Sequence, residues 1–191
     1  MSIFLKYNLD KKFEKINLSK EIFKEIEFED CEFLECSFLE TKFERCRFIN
    51  CKFTNCMISA IDISNCYFSE IFFLNSKVIG IDWTKAQLIQ VLNFNKCKVN
   101  YSNFRFLKMN KIKMIDCEAK EVDFSGSNLS DGNFENTDFD KSIFVETNLT
   151  KVNFRNAKNY YLDAKKNIIK GAHFSLPEAL TLLSSLEIYL D

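Results

Sequence analysis

Eight cysteines stand at positions 31, 36, 46, 51, 56, 66, 97 and 117, and four pairs of them lie 20 residues apart: Cys31/Cys51, Cys36/Cys56, Cys46/Cys66 and Cys97/Cys117. So many thiols raise three chemistries: metal ligation, disulfide bonding and redox exchange. A zinc site draws on close pairs such as C-x-x-C and on histidines, whereas this chain has no C-x-x-C and a single histidine, His173. His173 stands just before Phe174 and reads as an outward, solvated side chain. A Cys–His or Ser–His nucleophile needs partners converging on a pocket, and no G-x-x-x-x-G-K-[ST] phosphate loop is present. Catalysis, metal and cofactor are therefore not expected.

The cysteines belong to a longer pattern. Stepping by five from Phe33 meets Phe28, Phe23 and Leu18 in one direction, and Phe38, Phe43, Phe48, Phe53, Ile58, Ile63, Phe68, Phe73, Val78, Trp83 and Leu88 in the other. After one extra residue the series resumes at Phe94 and runs through Val99, Phe104, Met109, Met114, Ala119, Phe124, Leu129, Phe134, Phe139, Phe144 and Leu149 to Phe154. In a chain that is 47% hydrophobic, chance gives such a run about once in 10⁹ trials, so the repeat organises the fold. The position two before each centre is small or apolar, Glu21 being its only charged member, and every cysteine occupies it. Both positions face inward, and the other three carry nearly all the charge. Five residues of α-helix turn about 500°, which scatters the centres around the axis. In a flat strand an odd step alternates faces. A chain that turns a corner every five residues keeps each centre inside, and this is a solenoid.

The composition agrees with a folded chain of one architecture. It is 28% charged with a net charge of −1, and four Gly and one Pro are few for loop-rich topologies. Neither nucleic-acid binding nor an acidic tail is written into that total. No stretch approaches the roughly 18 apolar residues of a membrane span, and the N-terminal MSIFLKYNLD has too short an apolar run for a signal peptide. A cytoplasmic location with no membrane contact is the expectation.

Segments such as Ser127-Asn128-Leu129, Thr137-Asp138-Phe139, Thr147-Asn148-Leu149 and Val152-Asn153-Phe154 resemble the A(D/N)LXX consensus of pentapeptide-repeat proteins, and the resemblance covers roughly residues 16 to 174. It implies an all-β solenoid, a right-handed, four-sided (quadrilateral) β-helix with about 20 residues per coil and a short C-terminal α-helical cap. Roughly eight coils at ~4.8 Å each would make a rod near 40 Å long. The extra residue between Leu88 and Phe94 is expected as a bulge between two stacked segments, 16–90 and 91–174, after an N-terminal cap over 1–15. Ser175-Leu176-Pro177-Glu178 reads as a capping box that opens a helix within 175–191, with Leu176, Ala179, Leu180 and Leu183 on one face. The apolar tail Ile188-Tyr189-Leu190 follows. In relatives such a helix also joins two copies, which implies a homodimer through the C-terminus; read from its residues alone, it only caps.

Charges 20 apart complement each other, as stacked coils require: Glu25 with Arg45, Glu27 with Arg47, Glu32 with Lys52, Lys24 with Glu44, Lys98 with Glu118, Lys96 with Asp116 and Asp138 with Lys158. Stacked cysteines would hold parallel Cβ vectors ~4.8 Å apart, beyond the usual 3.5–4.5 Å of a disulfide. All eight are expected to be free, unreactive thiols.

Charge is uneven along the axis. Residues 21–40 hold eight acids and one Lys, residues 96–113 six bases and no acid, and residues 116–140 eight acids and one Lys. The candidate partner-binding surface is accordingly Glu25, Glu27, Glu29, Asp30, Glu32 and Glu35 in one coil, and Asp116, Glu118, Glu121, Asp123, Asp131, Glu135, Asp138 and Asp140 farther on. Two readings follow. By resemblance to members that bind gyrase and modulate quinolone or toxin action, these acids imitate DNA for a type II topoisomerase, DNA gyrase or topoisomerase IV, without direct contact to nucleic acid. The uninterrupted register leaves no room for the inserted loops that matter in the plasmid-type resistance members. Alternatively the acids serve ladder pairing between coils, and the chain is a general scaffold for some other protein.

Overall fold

The computed structural model describes residues 3–186 and 188. Each five-residue unit makes one short strand and one corner. β1 (Tyr7–Leu9), β2 (Lys12–Glu14), β3 (Asn17–Ser19) and β4 (Ile22–Lys24) form the first coil and open four flat faces, one to four in that order. Every face is built of parallel rungs 20 residues apart, as in Tyr7↔Glu27, Lys12↔Glu32, Asn17↔Ser37 and Ile22↔Lys42. The result is a parallel β-solenoid of about eight turns, closed by one short helix, α1 (Thr181–Ser185).

The corner lies two residues after each centre. It takes a left-handed backbone, with φ of 50° at Asp10, 54° at Arg45 and 58° at Lys141. That conformation costs an L-residue about 1–2 kcal/mol, so Asn, Asp and Gly suit it best. The corner amide offsets part of this cost by bonding the next coil, as Asn50 N–H does to the Ser69 carbonyl at 2.9 Å.

Inside, most phenylalanines 20 or 21 apart stack face to face along the axis, while Phe134 and Phe154 cross at 69°. Phe33 and Phe53 lie 4.5 Å apart at 3°, Phe28 and Phe48 4.9 Å at 14°, and Phe73 and Phe94 5.0 Å at 9°. Neighbouring stacks meet edge to face, as between Phe43 and Phe48 at 83°, which suits the ring quadrupole. Phe4 is buried at the first coil against Phe13, Phe23 and Phe28.

The register break differs in detail from the sequence expectation. The added residue sits in the 3-10 turn Trp83–Lys85, where Asn65 N–H bonds the Lys85 carbonyl and later rungs become 21 apart, as in Phe68↔Ile89. The inward centre of that unit is therefore Ile89, and Leu88 is 46% exposed. The capping box is not formed either. The Ser175 hydroxyl accepts from Asn156 N–H at 3.2 Å, and the chain continues as a 3-10 turn, Glu178–Leu180, without a side-chain cap. The expected apolar stripe is not the packed one: Leu176 and Leu180 are exposed, while Leu182 lies against the core. Tyr189 and Leu190 lie outside the described residues.

Candidate interaction surface

The cysteines are interior donors. All eight are buried and free. The Cys51 Sγ donates to the Phe28 carbonyl at 3.4 Å, and Cys56 and Cys66 reach Phe33 and Phe43 at 3.3 and 3.1 Å. Ser76 and Thr137 make the same reach, to Phe53 at 3.3 Å and Met114 at 2.7 Å. At most of these positions Cys, Ser and Thr thus do one job: a small side chain fills the corner of the core and its hydrogen uses a carbonyl lone pair of the coil below. Cys97 and Cys117 instead bond the carbonyls of Asn95 and Ile115 in their own coil. The upper thiol of each stack, Cys51, Cys56, Cys66 and Cys117, is pushed up by the thiol stacked beneath it and then by burial, and stays protonated. Among the described residues no three His, Cys, Asp or Glu side chains converge to hold a metal ion. His173 is exposed, with Nδ1 3.3 Å from the Arg155 guanidinium.

The candidate acids are on the outside, and most are already occupied. Glu25 meets Lys6 at 2.9 Å and Arg45 at 3.4 Å, and Glu27 meets Arg47 at 3.2 Å. Glu29 accepts from the Tyr7 hydroxyl at 2.6 Å, Asp30 from Asn50 at 2.7 Å, and Glu35 lies 3.9 Å from Lys15. In the later group Glu118 meets Lys98 at 3.4 Å, Asp123 Arg105 at 3.6 Å, Asp138 Lys120 at 3.6 Å, and Glu121 Lys141 at 4.0 Å. Asp116 and Glu135 accept from Asn136 at 2.8 Å and Asn153 at 3.5 Å. Lys6 holds the Glu25 carboxyl below its ordinary value, and Asn100 does the same for Glu118, chiefly by hydrogen bonding. Glu29, in turn, pushes the Tyr7 phenol up to about 12.

Not every anticipated pair closes. Glu32 and Lys52 share a rung, as do Asp138 and Lys158, yet neither these nor Lys96 and Asp116 form an ion pair. Glu32, Asp131 and Asp140 have no cationic partner among the described residues. Columns along the axis also mix signs: Lys15, Glu35, Lys96 and Asp116 form one corner column, and Lys77, Lys98, Glu118, Asp138 and Lys158 another column on face three. The acids make belts around the rod, with no continuous stripe along it.

Two surface residues escaped the sequence reading. Tyr101 and Phe106 occupy successive corners at φ 59° and 58°, and are 61% and 69% exposed. Bulky side chains in that region are outliers. Phe106 covers the corner stacked on it in the following coil, where a Cβ on Gly126 would fall 2.3 Å from its ring, and the Arg105 guanidinium sits 5.2 Å from the ring centroid. The signal was available, since an aromatic at the corner position breaks the polar rule of the repeat.

A family model described as a pentapeptide repeat region matches residues 26–104, and one described as pentapeptide repeats in 8 copies matches residues 120–156. Two solved structures of similar fold are trypsin-treated forms of QnrB1, a plasmid-mediated fluoroquinolone resistance protein. One is 19% identical with a TM-score of 0.55, covering 97% of this chain and 97% of that one. The other is 15% identical with a TM-score of 0.51, covering 94% and 100%. HetL, a pentapeptide repeat protein involved in heterocyst differentiation regulation from the cyanobacterium Nostoc, is 10% identical with a TM-score of 0.49 over 86% and 85%. At these identities the likeness to the two QnrB1 structures is one of fold. No curated protein matches the chain.

Proposed function

This chain belongs to the pentapeptide-repeat family, and from that premise we propose that it is a non-enzymatic scaffold that holds a protein partner against its outward side chains. One observation carries the reading: the potentially reactive side chains inside, the cysteines, are consumed in packing and hydrogen bonding. Recognition groups are left on a stiff surface, among them the exposed Tyr101 and Phe106. Aromatic and arginine side chains carry a large share of binding energy at protein interfaces. No helix of the described residues is long and apolar enough to cross a membrane, and a cytoplasmic setting, where thiols stay reduced, belongs to the proposal. So does a homodimer through the C-terminal residues, supported by the exposure of Leu176, Leu180 and Ile188.

The narrower reading names a type II topoisomerase as the partner. It is supported by the two acid-rich coils and by Glu32, Asp131 and Asp140, which have no cation of their own. The mixed columns and the occupied ladder carboxylates favour the broader scaffold. Gyrase supercoiling assays with and without a fluoroquinolone separate the two. Inhibition, or rescue from the drug, at micromolar protein supports the topoisomerase. The absence of both removes it and leaves a scaffold for another protein.

A further inference from the structure

The parallel ladder is continuous on faces two and three, but on face one it is interrupted between the coils containing Ile89 and Met109. Elsewhere on that face the rungs follow a pattern, broken only at Glu70, where Ile71 N–H bonds the Val91 carbonyl instead: Asn50 N–H to the Ser69 carbonyl, Tyr67 N–H to Cys46, Gln90 N–H to Phe68, and Met109 N–H to Asn128. Carried to the next pair of coils, the pattern would join Val91 N–H to Asn110, Lys108 N–H to Gln87, Asn110 N–H to Ile89, and Ile89 N–H to Lys108. None of these four bonds forms among the described residues. The cause is the residue added in the Trp83–Lys85 turn, which displaces the strand that follows it.

Two strand edges, 87–91 and 107–111, therefore face each other. The amides of Ile89, Val91, Lys108 and Asn110 and the carbonyls of Gln87, Ile89, Lys108 and Asn110 have no backbone partner among the described residues. Between them runs a groove of about 380 Å³ along Ile89, Val91, Lys108 and Lys111, beside a smaller one of about 120 Å³ over Ala86 and Leu107. Ile89 and Leu107 hold inward positions that are buried in most coils, and here both are half-buried. Val91 is 44% exposed at φ 37°, a strained setting for a β-branched side chain. Lys108 and Lys111 are exposed on the rim and form no ion pair among the described residues, within a segment, 96–113, that holds six bases and no acid.

We propose that this groove docks an extended, acidic peptide segment of a partner protein. A row of free amides and carbonyls at strand spacing is matched by another strand, which adds its backbone to the open edge. Successive side chains of a strand point to opposite sides. Such a segment can set apolar side chains on Ile89 and Leu107 and turn carboxylates toward Lys108 and Lys111. The 107–111 edge is bonded to the acid-rich coil through Met109 and Lys111, but none of the candidate acids lines the groove, so its docking is read separately from the topoisomerase reading.

The test is a titration of the ¹⁵N-labelled protein with an acetylated peptide of alternating valine and aspartate, read by amide chemical shifts. A valine–lysine peptide and a thymidine single strand serve as comparisons. The expected result is shifts confined to 86–91 and 107–111 with the aspartate peptide, weakened about tenfold by Lys108→Glu with Lys111→Glu, a loss of about 1.4 kcal/mol. Both side chains are exposed, and an unchanged spectrum elsewhere reports that the variant is folded. No shifts at about 1 mM peptide, shifts centred elsewhere, or equal response to lysine peptide or thymidine strand would overturn the proposal. So would a double variant that binds as well as the parent, or sedimentation showing a second copy of the chain occupying the groove.

Discussion

At the scale of single residues, the repeat dictates a job for each position, and substitutions should follow the job. Cys51 fills a fully buried site and donates to Phe28. Cys51→Ser keeps both roles and should change stability by no more than about 1 kcal/mol, whereas Cys51→Leu overpacks the corner and should cost about 2–3 kcal/mol. Denaturant midpoints of the two variants check the order. Ala60 stands at a corner with φ 51° and, unlike Asn or Asp, gains nothing there from its side chain. Ala60→Gly should raise stability by about 1 kcal/mol, and an unchanged or lower midpoint would show that the corner is not strained. These roles were legible because inward positions recur every five residues. Tyr101 and Phe106 do not stand out in that pattern, because the period specifies the inward centres and leaves corner side chains open.

At the scale of elements, the interrupted ladder predicts a difference that hydrogen exchange reads directly. Amides of Arg47 and Tyr67, bonded to the coil below, should be protected, while those of Ile89, Val91, Lys108 and Asn110 should exchange far faster. Equal protection would mean that the face-one ladder closes. Trp83, the only tryptophan, is 1% exposed and stacked on Phe104 at 5.7 Å. Its Nε1 has no hydrogen-bond partner among the described residues, and it lies among the rings of Phe68, Phe73 and Phe94 at steep angles, a setting in which ring faces can offset a missing acceptor. Its emission should be blue-shifted and poorly quenched by acrylamide. The break was visible in the sequence as one extra residue, but not its place. Leu88 and Ile89 are both apolar, so periodicity alone could not choose between them, and only the Asn65–Lys85 bond reveals the turn that absorbs the insertion. At the C-terminus the S-x-x-E pattern was present, yet a bond from the Asn156 amide engages Ser175.

At the scale of the whole molecule, the outward charges join coils as much as they face solvent. Glu25 and Glu44, held down by Lys6 and Lys24, and Glu118, held down first by Asn100, have folded-state values below the ordinary 4.5. A depressed carboxylate stabilises the fold above its unfolded value and loses that contribution as pH falls through the folded one. Melting temperature should therefore be nearly flat from pH 8 to about 5 and fall below about 4.5; a maximum in acid would contradict the ladder. The sequence made the fold legible because a strict five-residue period has one solution. It could not name a binding site, because the repeat specifies what is inside and leaves the surface free to vary.

The central claim is that the residues most suggestive of chemistry, the cysteines, are the filled interior of a rod whose function lies outside. Thiol titration without reductant tests it most directly. Native protein should react negligibly with an aromatic disulfide reagent, and all eight thiols should appear on denaturation. Fewer than seven in the denatured protein, or rapid reaction in the native one, would contradict it.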